Sequence, residues 1–412
     1  MDLSYNAVDR SDAVCATFLK SEKTLVQSTA DIHDVVSEVM PARYGLTDMP
    51  EIPNLKKRKV PRTINPRNAR YNICVGRYLR VIEHGNAPGS IYHSIDQIFG
   101  HPTVAKNLNA LQVADLIVDA FNSVPNAVAV GLDASRFDQH CSIKALQFEH
   151  TIYNGVFRSR ELARLLSWQL RNFGKSYLAD GKVKYCVSGC RMSGDMNTSC
   201  GNVIIMCALI HHYMKGLGIE YRLVNNGDDS VLIVSRGDYH KLDHLYEWFL
   251  EFGYEMKVES VTDVLEKVVF CQAQPVFDGV RWRMVRQLNS LLKDAVTDQQ
   301  VSNRASFDAQ RGAVRDCGLA LTDGLPVLPD YYKLLGSGSD RSAANLMNTG
   351  MQQLARGMTY EGRSISDAAR LSFARAFDIS PMEQELMEQY MRAHELRYSA
   401  EALFFQVPGR YI

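Results

Sequence analysis

Through the middle third of the chain, short apolar runs bounded by turn residues alternate with stretches of helical period. Residues 127–132 form an apolar, β-rich run, and residues 142–156 repeat apolar positions at helical spacing. Residues 197–215, apolar without a break over 203–210, predict a buried helix. Two strand-like runs, 221–225 and 230–234, flank a tight turn. Asp238 is placed to cap a helix that puts Leu242, Leu245, Tyr246 and Phe249 on one face and ends at Gly253. Runs 268–277 and 280–286 flank Asp278-Gly279, a two-residue hairpin signal. Past residue 289 the strand patterning ends, and helical stretches near 298–318, 341–357, 364–376 and 381–403 follow. The last opens with Ser380 as cap, Pro381 at the first helical position and Glu383 closing a capping box. The pattern predicts an α+β core with a small, mostly antiparallel sheet, followed by a separate helical lobe. No internal repeat or low-complexity tract interrupts it.

Composition narrows the class. The 412 residues are 46% hydrophobic and 22% charged, which excludes a disordered chain, a collagen and a disulfide scaffold and suggests two or three sub-domains. With 46 basic and 46 acidic side chains, the protein is not one that coats nucleic acid, though a local basic channel is compatible with zero net charge. The longest apolar run, residues 203–210, is far short of the ~20 residues that span a bilayer. No signal sequence opens the chain. The nine cysteines include no Cys-x-x-Cys, and Cys186 and Cys190 lack a second pair for zinc. Cys207 and His211 could share a helix face, but their apolar surroundings read as core. Reduced, structural thiols fit an intracellular compartment. Charge is uneven along the chain: residues 56–80 carry nine Lys or Arg and no acid. That stretch suits a solvated face, a localisation signal (Lys56-Lys57-Arg58-Lys59) or a lining for polyphosphate, and by itself leaves the choice open.

Acidic turns supply the candidate chemistry. Gly227-Asp228-Asp229 sits between two predicted strands, and Asp133 and Asp138 follow the apolar run that starts at residue 127. Two carboxylates ~4 Å apart repel by about 4 kcal/mol at an effective dielectric near 20, so Asp133, Asp228 and Asp229 would converge only around a cation. Hard oxygen ligands suit Mg²⁺, and a pair of such ions would activate an attacking hydroxyl and stabilise a leaving pyrophosphate. A lone Gly-Asp-Asp also fits a solvated surface hairpin. A third string, Arg191 to Asn202, weakens that reading. It has a Ser193-Gly194 loop, then a helix with Thr198 and Asn202 four apart on one face. Such side chains can hydrogen-bond a ribose hydroxyl, and Gly194 and Gly201 allow close backbone approach. A capped helix with a polar stripe is the plainer account.

Taken together, Asp133-x4-Asp138, Ser193-Gly194-x3-Thr198-x3-Asn202 and Gly227-Asp228-Asp229 resemble motifs A, B and C of viral RNA-dependent RNA polymerases. The wording is similar to that of the tombusvirus and carmovirus group. This holds for the string from Gly131 to His140, for Pro66-Arg67-Asn68-Ala69-Arg70-Tyr71-Asn72, and for Val75-Gly76-Arg77-Tyr78-Leu79-Arg80. Phe18 to Lys23 resembles the start of motif F, and Phe270-Cys271-Gln272 resembles motif E. The resemblance implies a right-hand polymerase with fingers over 1–126, palm over 127–287 (with a fingers-type insertion near 157–190) and a helical thumb over 288–412.

By the same resemblance Asp133 and Asp228 would hold two Mg²⁺ ions, with Mn²⁺ able to substitute, and Asp229 would assist. Asp138 and Asn202, helped by Ser193, Gly194 and Thr198, would read the 2′-hydroxyl of the incoming nucleotide. Lys20, Lys23, Arg62 and Arg67 would meet its triphosphate, and Lys257 would protonate the leaving pyrophosphate. The hairpin at Asp278-Gly279 would grip the growing strand. Implied partners are a single-stranded RNA template, the nascent RNA and ribonucleoside triphosphates. Seventeen residues precede Phe18, fewer than such polymerases usually carry. That raises the expectation of an upstream replicase segment or an auxiliary replication protein, which would also bring the enzyme to membrane-associated replication sites in the host cytoplasm. A reverse transcriptase would carry a bulky residue in place of Asp138 and an aromatic before its paired aspartates. A two-metal nuclease has no use for the basic segment, and a non-catalytic RNA-binding relative has no need of every carboxylate.

Overall fold

A computed structural model describes residues 7–20, 62–83, 89–178, 181–288, 290–291, 304–335 and 350–393. Near the start, β1 (Cys15–Ala16) and β2 (Phe18–Leu19) are followed by β3 (Thr63–Ile64), which pairs antiparallel with β2. Helices Ala69–Glu83, Ile91–Phe99 and Ala110–Asn122 lead into β4 (Ala127–Ser135). After helices Ile143–Phe157 and Arg160–Ser167 comes the hairpin of β5 (Arg171–Leu178) and β6 (Gly181–Ser188), with β1 parallel to β5. Helix Thr198–Leu217 precedes β7 (Tyr221–Asn226) and β8 (Asp229–Ser235), and β9 (Glu255–Thr262) follows. A second hairpin, β10 (Ala273–Phe277) and β11 (Trp282–Arg286), leads to helices Arg304–Thr322, Leu328–Lys333, Met351–Leu354, Asp367–Phe377 and Pro381–Ala393.

The central sheet runs β7-β8-β4-β9, antiparallel at every pairing. Side chains alternate faces along a strand, and both faces of this sheet are covered. Val128, Val130, Leu132 and Ala134 of β4 join one core with Leu223, Leu232 and Val234, against helix Thr198–Leu217. Ala127, Ala129, Val224, Val231 and Ile233 join the other, against helix Ala110–Asn122. Burial on both sides explains why β4 reads as an unbroken apolar run. A one-residue slip would put Val128, Val130 and Leu132 where Ala127 and Ala129 fit, so side-chain size sets the register.

The α+β class is as the patterning predicts, and several details differ. The C-terminal helices contribute Val314, Leu321, Met351 and Phe373 to the same core as the second sheet face, so the helical region packs on the sheet rather than standing apart from it. Asp238 caps no helix; its carboxylate accepts from Ser235 Oγ (2.8 Å) and Lys241 (2.7 Å). A single 3₁₀ turn, Tyr239–Leu242, intervenes before helix Leu245–Glu251, and this break leaves Tyr246 46% exposed while Leu242, Leu245 and Phe249 are buried. The connection after β10 spans residues 278–281, because Phe277 pairs with Trp282. Asp278 is buried there, accepting from the backbone of Val280 (2.9 Å) and Arg281 (3.0 Å) and pairing with Arg283 and Arg363. Burial raises the pKa of its carboxyl, but the Arg363 hydrogen bond and the Arg283 charge hold it down at about 2. Ser380 and Glu383 do form the reciprocal capping box. Among the described residues no helix is long and apolar enough to cross a membrane.

Candidate active site

Asn226 pairs with Asp229, so Gly227-Asp228 is a two-residue turn at the tip of β7 and β8. Gly227 adopts φ +96°, a conformation that favours glycine. The turn is held from inside by Asn225, which is fully buried: its Nδ2 donates to Gly227 O (2.8 Å) and Ser230 Oγ (2.8 Å), and its Oδ1 accepts from Gly227 N (3.0 Å). Strand β4 lies between β8 and β9, and Asp133 faces Asp229 on one side and Lys257 on the other. Directly opposed residues of antiparallel strands share a face, so the register sets Asp133, Asp229 and Lys257 in one row across three strands.

These carboxylates disfavour one another's charge. Asp228 has a raised pKa through burial and the charges of Asp138 and Asp133, which the Lys106 ammonium opposes. Burial, then the charges of Asp228, Asp133 and Glu259, lift Asp229 to about 6. A hard divalent cation would relieve this repulsion, and the all-oxygen donor set of Asp133, Asp228 and Asp229 suits one. Among the described residues no three acidic, His or Cys side chains already stand in ligating positions around one point.

The ribose-reading candidates lie beside this row. Asp138 sits in the short helix Phe137–His140, just beyond β4. Its Oδ2 accepts from Ser193 Oγ, and its Oδ1 accepts from Asn202 Nδ2 (2.9 Å). Gly194 has φ +118°, and a Cβ there would stand 3.0 Å from the Pro66 nitrogen; Asn65 N also donates to Ser193 O (2.6 Å). The Ser193-Gly194 loop is therefore pressed against the segment that precedes helix Ala69–Glu83. Thr198 donates instead to Met192 O (3.3 Å), stabilising the loop. A cleft of about 460 Å³ opens here, lined by Arg80, Lys106, Thr198, Asn202, Gly227 and Asp228 among others.

The basic candidates are dispersed. Lys20 and Arg62 are exposed and adjacent, Lys20 N donating to Arg62 O (2.8 Å), but neither lines that cleft. Lys23 lies outside the described residues, as does Lys56 to Lys59. Lys257 is exposed on β9. The triphosphate role expected of Arg67 is corrected by its surroundings. It is 4% exposed, with Nε and Nη2 on Asp195 (2.5 and 3.0 Å), Nη2 also on Asn172 Oδ1 (2.6 Å), and Nη1 on Ala13 O (2.6 Å). With each nitrogen committed inside the protein, Arg67 has no face for a phosphate.

Three further groups escaped the sequence reading. Residues 103–105 bridge in parallel to Asn225 and deliver Lys106 to the turn, where its Nζ lies 3.6 Å from the place a Gly227 Cβ would occupy. Burial lowers the Lys106 pKa, against the pull of the Asp228 and Asp229 charges. Leu132 pairs with Val258 and Gly131 with Ser260, so Glu259 is the extra residue of a bulge beside Asp133. Cys271 accepts from Asn226 Nδ2 (3.1 Å) and donates to Asp229 Oδ2 (3.5 Å). Of the three, only Cys271 lay in a string the sequence had marked.

An acidic hairpin tip thus stands against an acidic central strand, with a carboxylate, hydroxyl and amide trio on the neighbouring loop and helix. The chain belongs to the viral RNA dependent RNA polymerase family, whose family model matches residues 50–399. It is 40% identical over 355 residues to the RNA-directed RNA polymerase of red clover necrotic mosaic virus, covering 82% of this chain and 45% of that protein. Identity is 37% over 393 residues with the turnip crinkle virus enzyme, covering 93% and 46%. With that of tobacco necrosis virus (strain A) it is 37% over 401 residues, covering 96% and 51%. The chain thus spans about half the length of the curated relatives it matches.

Proposed function

We propose that this chain carries the nucleotidyl-transfer centre of an RNA-directed RNA polymerase that copies single-stranded viral RNA. The observation that carries the proposal is the register of β4 between β8 and β9, which aligns Asp133, Asp229 and Lys257 beneath the Asp228 tip. In this reading residues 1–126 are fingers, 127–287 palm and 288–412 thumb. Asp133 and Asp228, assisted by Asp229, would hold two Mg²⁺ ions, which Mn²⁺ could replace; when bound they would activate the attacking 3′-hydroxyl and neutralise the leaving pyrophosphate.

The chain's own groups do the rest. Asn225 holds the Asp228 turn rigid, and Lys106 balances its negative charge. Lys257, opposite Asp133, gives a proton to the leaving pyrophosphate. Asp138, Asn202 and Ser193 surround the 2′-hydroxyl, while Lys20 and Arg62 draw the triphosphate in from the fingers side. An upstream segment or a partner would bring the enzyme to replication membranes in the host cytoplasm.

The test is ribonucleotide incorporation on a short single-stranded RNA by the parent and by Asp228→Ala. The variant should fold and make no product; product at the parental rate would remove Asp228 from the chemistry. A reverse-transcriptase reading has less support, because Asp138 is a hydrogen-bonded carboxylate where a bulky ribose-excluding side chain would stand.

A further inference from the structure

Selecting a ribose requires more than having an amide near it. The oxygen and nitrogen of an asparagine amide occupy nearly the same space, so a free Asn202 could present either a donor or an acceptor to the 2′-hydroxyl. In this fold it has no such freedom. Asn202 Oδ1 accepts from Arg191 Nε (3.1 Å), and Nδ2 donates to Asp138 Oδ1 (2.9 Å). A guanidinium only donates and a carboxylate only accepts. A flipped amide would set N–H against N–H on one side and oxygen against carboxylate on the other.

Arg191 is itself immobilised. It is 3% exposed and pairs with Glu149, which is fully buried, through Nη2 and through Nη1 (3.3 Å). Glu149 also accepts from Asn197 Nδ2 (2.7 Å), at the start of the helix that bears Asn202. That helix lies directly on the ion pair: a Cβ on Gly201 would collide with Glu149 Oε1 and stand 2.5 Å from Arg191 Nη2. The backbone N–H of Arg191 donates to Asp138 O (2.7 Å), so one residue holds both the carboxylate's segment and the amide.

We infer that the buried Arg191–Glu149 pair is a positioning device: it locks the Asn202 amide with its NH₂ toward Asp138, and thereby sets the preference for ribose over deoxyribose. The inference rests on the ribose role proposed above for Asp138 and Asn202. With the amide locked, the carboxylate keeps lone pairs free to accept from a 2′-hydroxyl, while the second Asn202 N–H can donate to that hydroxyl's oxygen. A deoxyribose offers neither partner, so one Asp138 lone pair and the second Asn202 N–H go unfilled. Arg191 and Glu149 touch no substrate; they act only through Asn202.

The test uses the full chain and four proteins: parent, Asn202→Ala, the double variant Glu149→Gln/Arg191→Met, and all three substitutions together. Removing both members of a buried pair is often nearly neutral for stability, and the glutamine amide oxygen introduced by Glu149→Gln can still accept from Asn197. The ratio of kcat/KM for GTP to that for dGTP is measured in each, together with the ratio of their dissociation constants. Both ratios should fall by about 5- to 100-fold in the double variant, the scale of one mis-set buried hydrogen bond. Asn202→Ala should show a comparable fall, and the triple variant should fall no further than Asn202→Ala alone. Parental ratios in the double variant, with Asn202→Ala relaxed, would overturn the positioning role and leave the ribose reading standing. Parental ratios in Asn202→Ala would overturn the ribose reading itself. A full extra loss in the triple variant would show the pair acting independently of Asn202, and would equally overturn the inference. Should the double variant melt early, Arg191→Lys carries the same test, because one ammonium cannot hold Glu149 and Asn202 together in the guanidinium's fork.

Discussion

Replacing Arg67 with methionine separates a phosphate contact from a buried strut. In the parent the guanidinium satisfies both oxygens of Asp195 (itself 7% exposed), the Asn172 amide oxygen and the Ala13 carbonyl. Arg67→Met removes the cation and leaves the Asp195 carboxylate buried without it. Breaking one side of a buried pair costs about 3–5 kcal/mol. With an unfolding entropy of about 2.1 cal/mol/K per residue over 412 residues, each kcal/mol moves the midpoint by roughly 1 °C, so Tm should fall by about 3–6 °C. Replacing both partners, as in Arg67→Met/Asp195→Leu, should recover most of that loss, since no buried charge is left over. Thermal unfolding of the three proteins measures the stability, and nucleotide KM at a temperature where all are folded measures the function. A parental Tm in Arg67→Met, accompanied by a raised KM, would refute the strut and restore the triphosphate contact.

Asp229→Asn should stabilise the chain in chelator at pH 7.5 by about 1–3 kcal/mol. The folded pKa of Asp229 is raised from 3.8 to about 6, so the folded state resists its ionisation: the penalty is absent below pH 3.8 and complete above about 6. The gain in Tm should therefore vanish as pH falls to about 4, and an equal gain there would contradict the repulsion argument. Gly201→Ala pushes a methyl into the Glu149–Arg191 pair and should cost about 1–3 kcal/mol in urea unfolding; parental stability would contradict the close packing of the helix on that pair. Arg62→Ala should raise nucleotide KM with little change in kcat, as for a contact made equally in ground and transition states; weakened RNA binding at a normal KM would assign Arg62 to the template.

What the sequence conveys well is whatever depends on neighbours along the chain. The apolar run ending at Asp133, the two short runs around Gly227-Asp228 and the apolar stretch over 203–210 each announce an element and its place in the core. The register that lines up Asp133 with Asp229 comes from the paired strands and not from the pattern. Long-range pairing is another matter. Arg67 sits in a basic, acid-free stretch, and its partner Asp195 lies 128 residues away, so nothing nearby marks it as buried. Asp278 looks like a turn residue until Arg363, 85 residues on, closes over it. Lys106 sits in a loop without periodicity and becomes part of the cleft only because residues 103–105 bridge to Asn225. Glu259 needs a bulge that only the paired strands reveal.

The central claim is that this chain holds a nucleotidyl-transfer site for making RNA, and template-directed incorporation of labelled GTP tests it most directly. The assay compares the parent with Asp228→Ala on a single-stranded RNA template with Mg²⁺, each protein as the full chain and joined to an upstream segment. Template-dependent product from the parent, with none from Asp228→Ala in either form, is the predicted result. Equal synthesis by parent and variant, or parental incorporation that ignores the template, would contradict it.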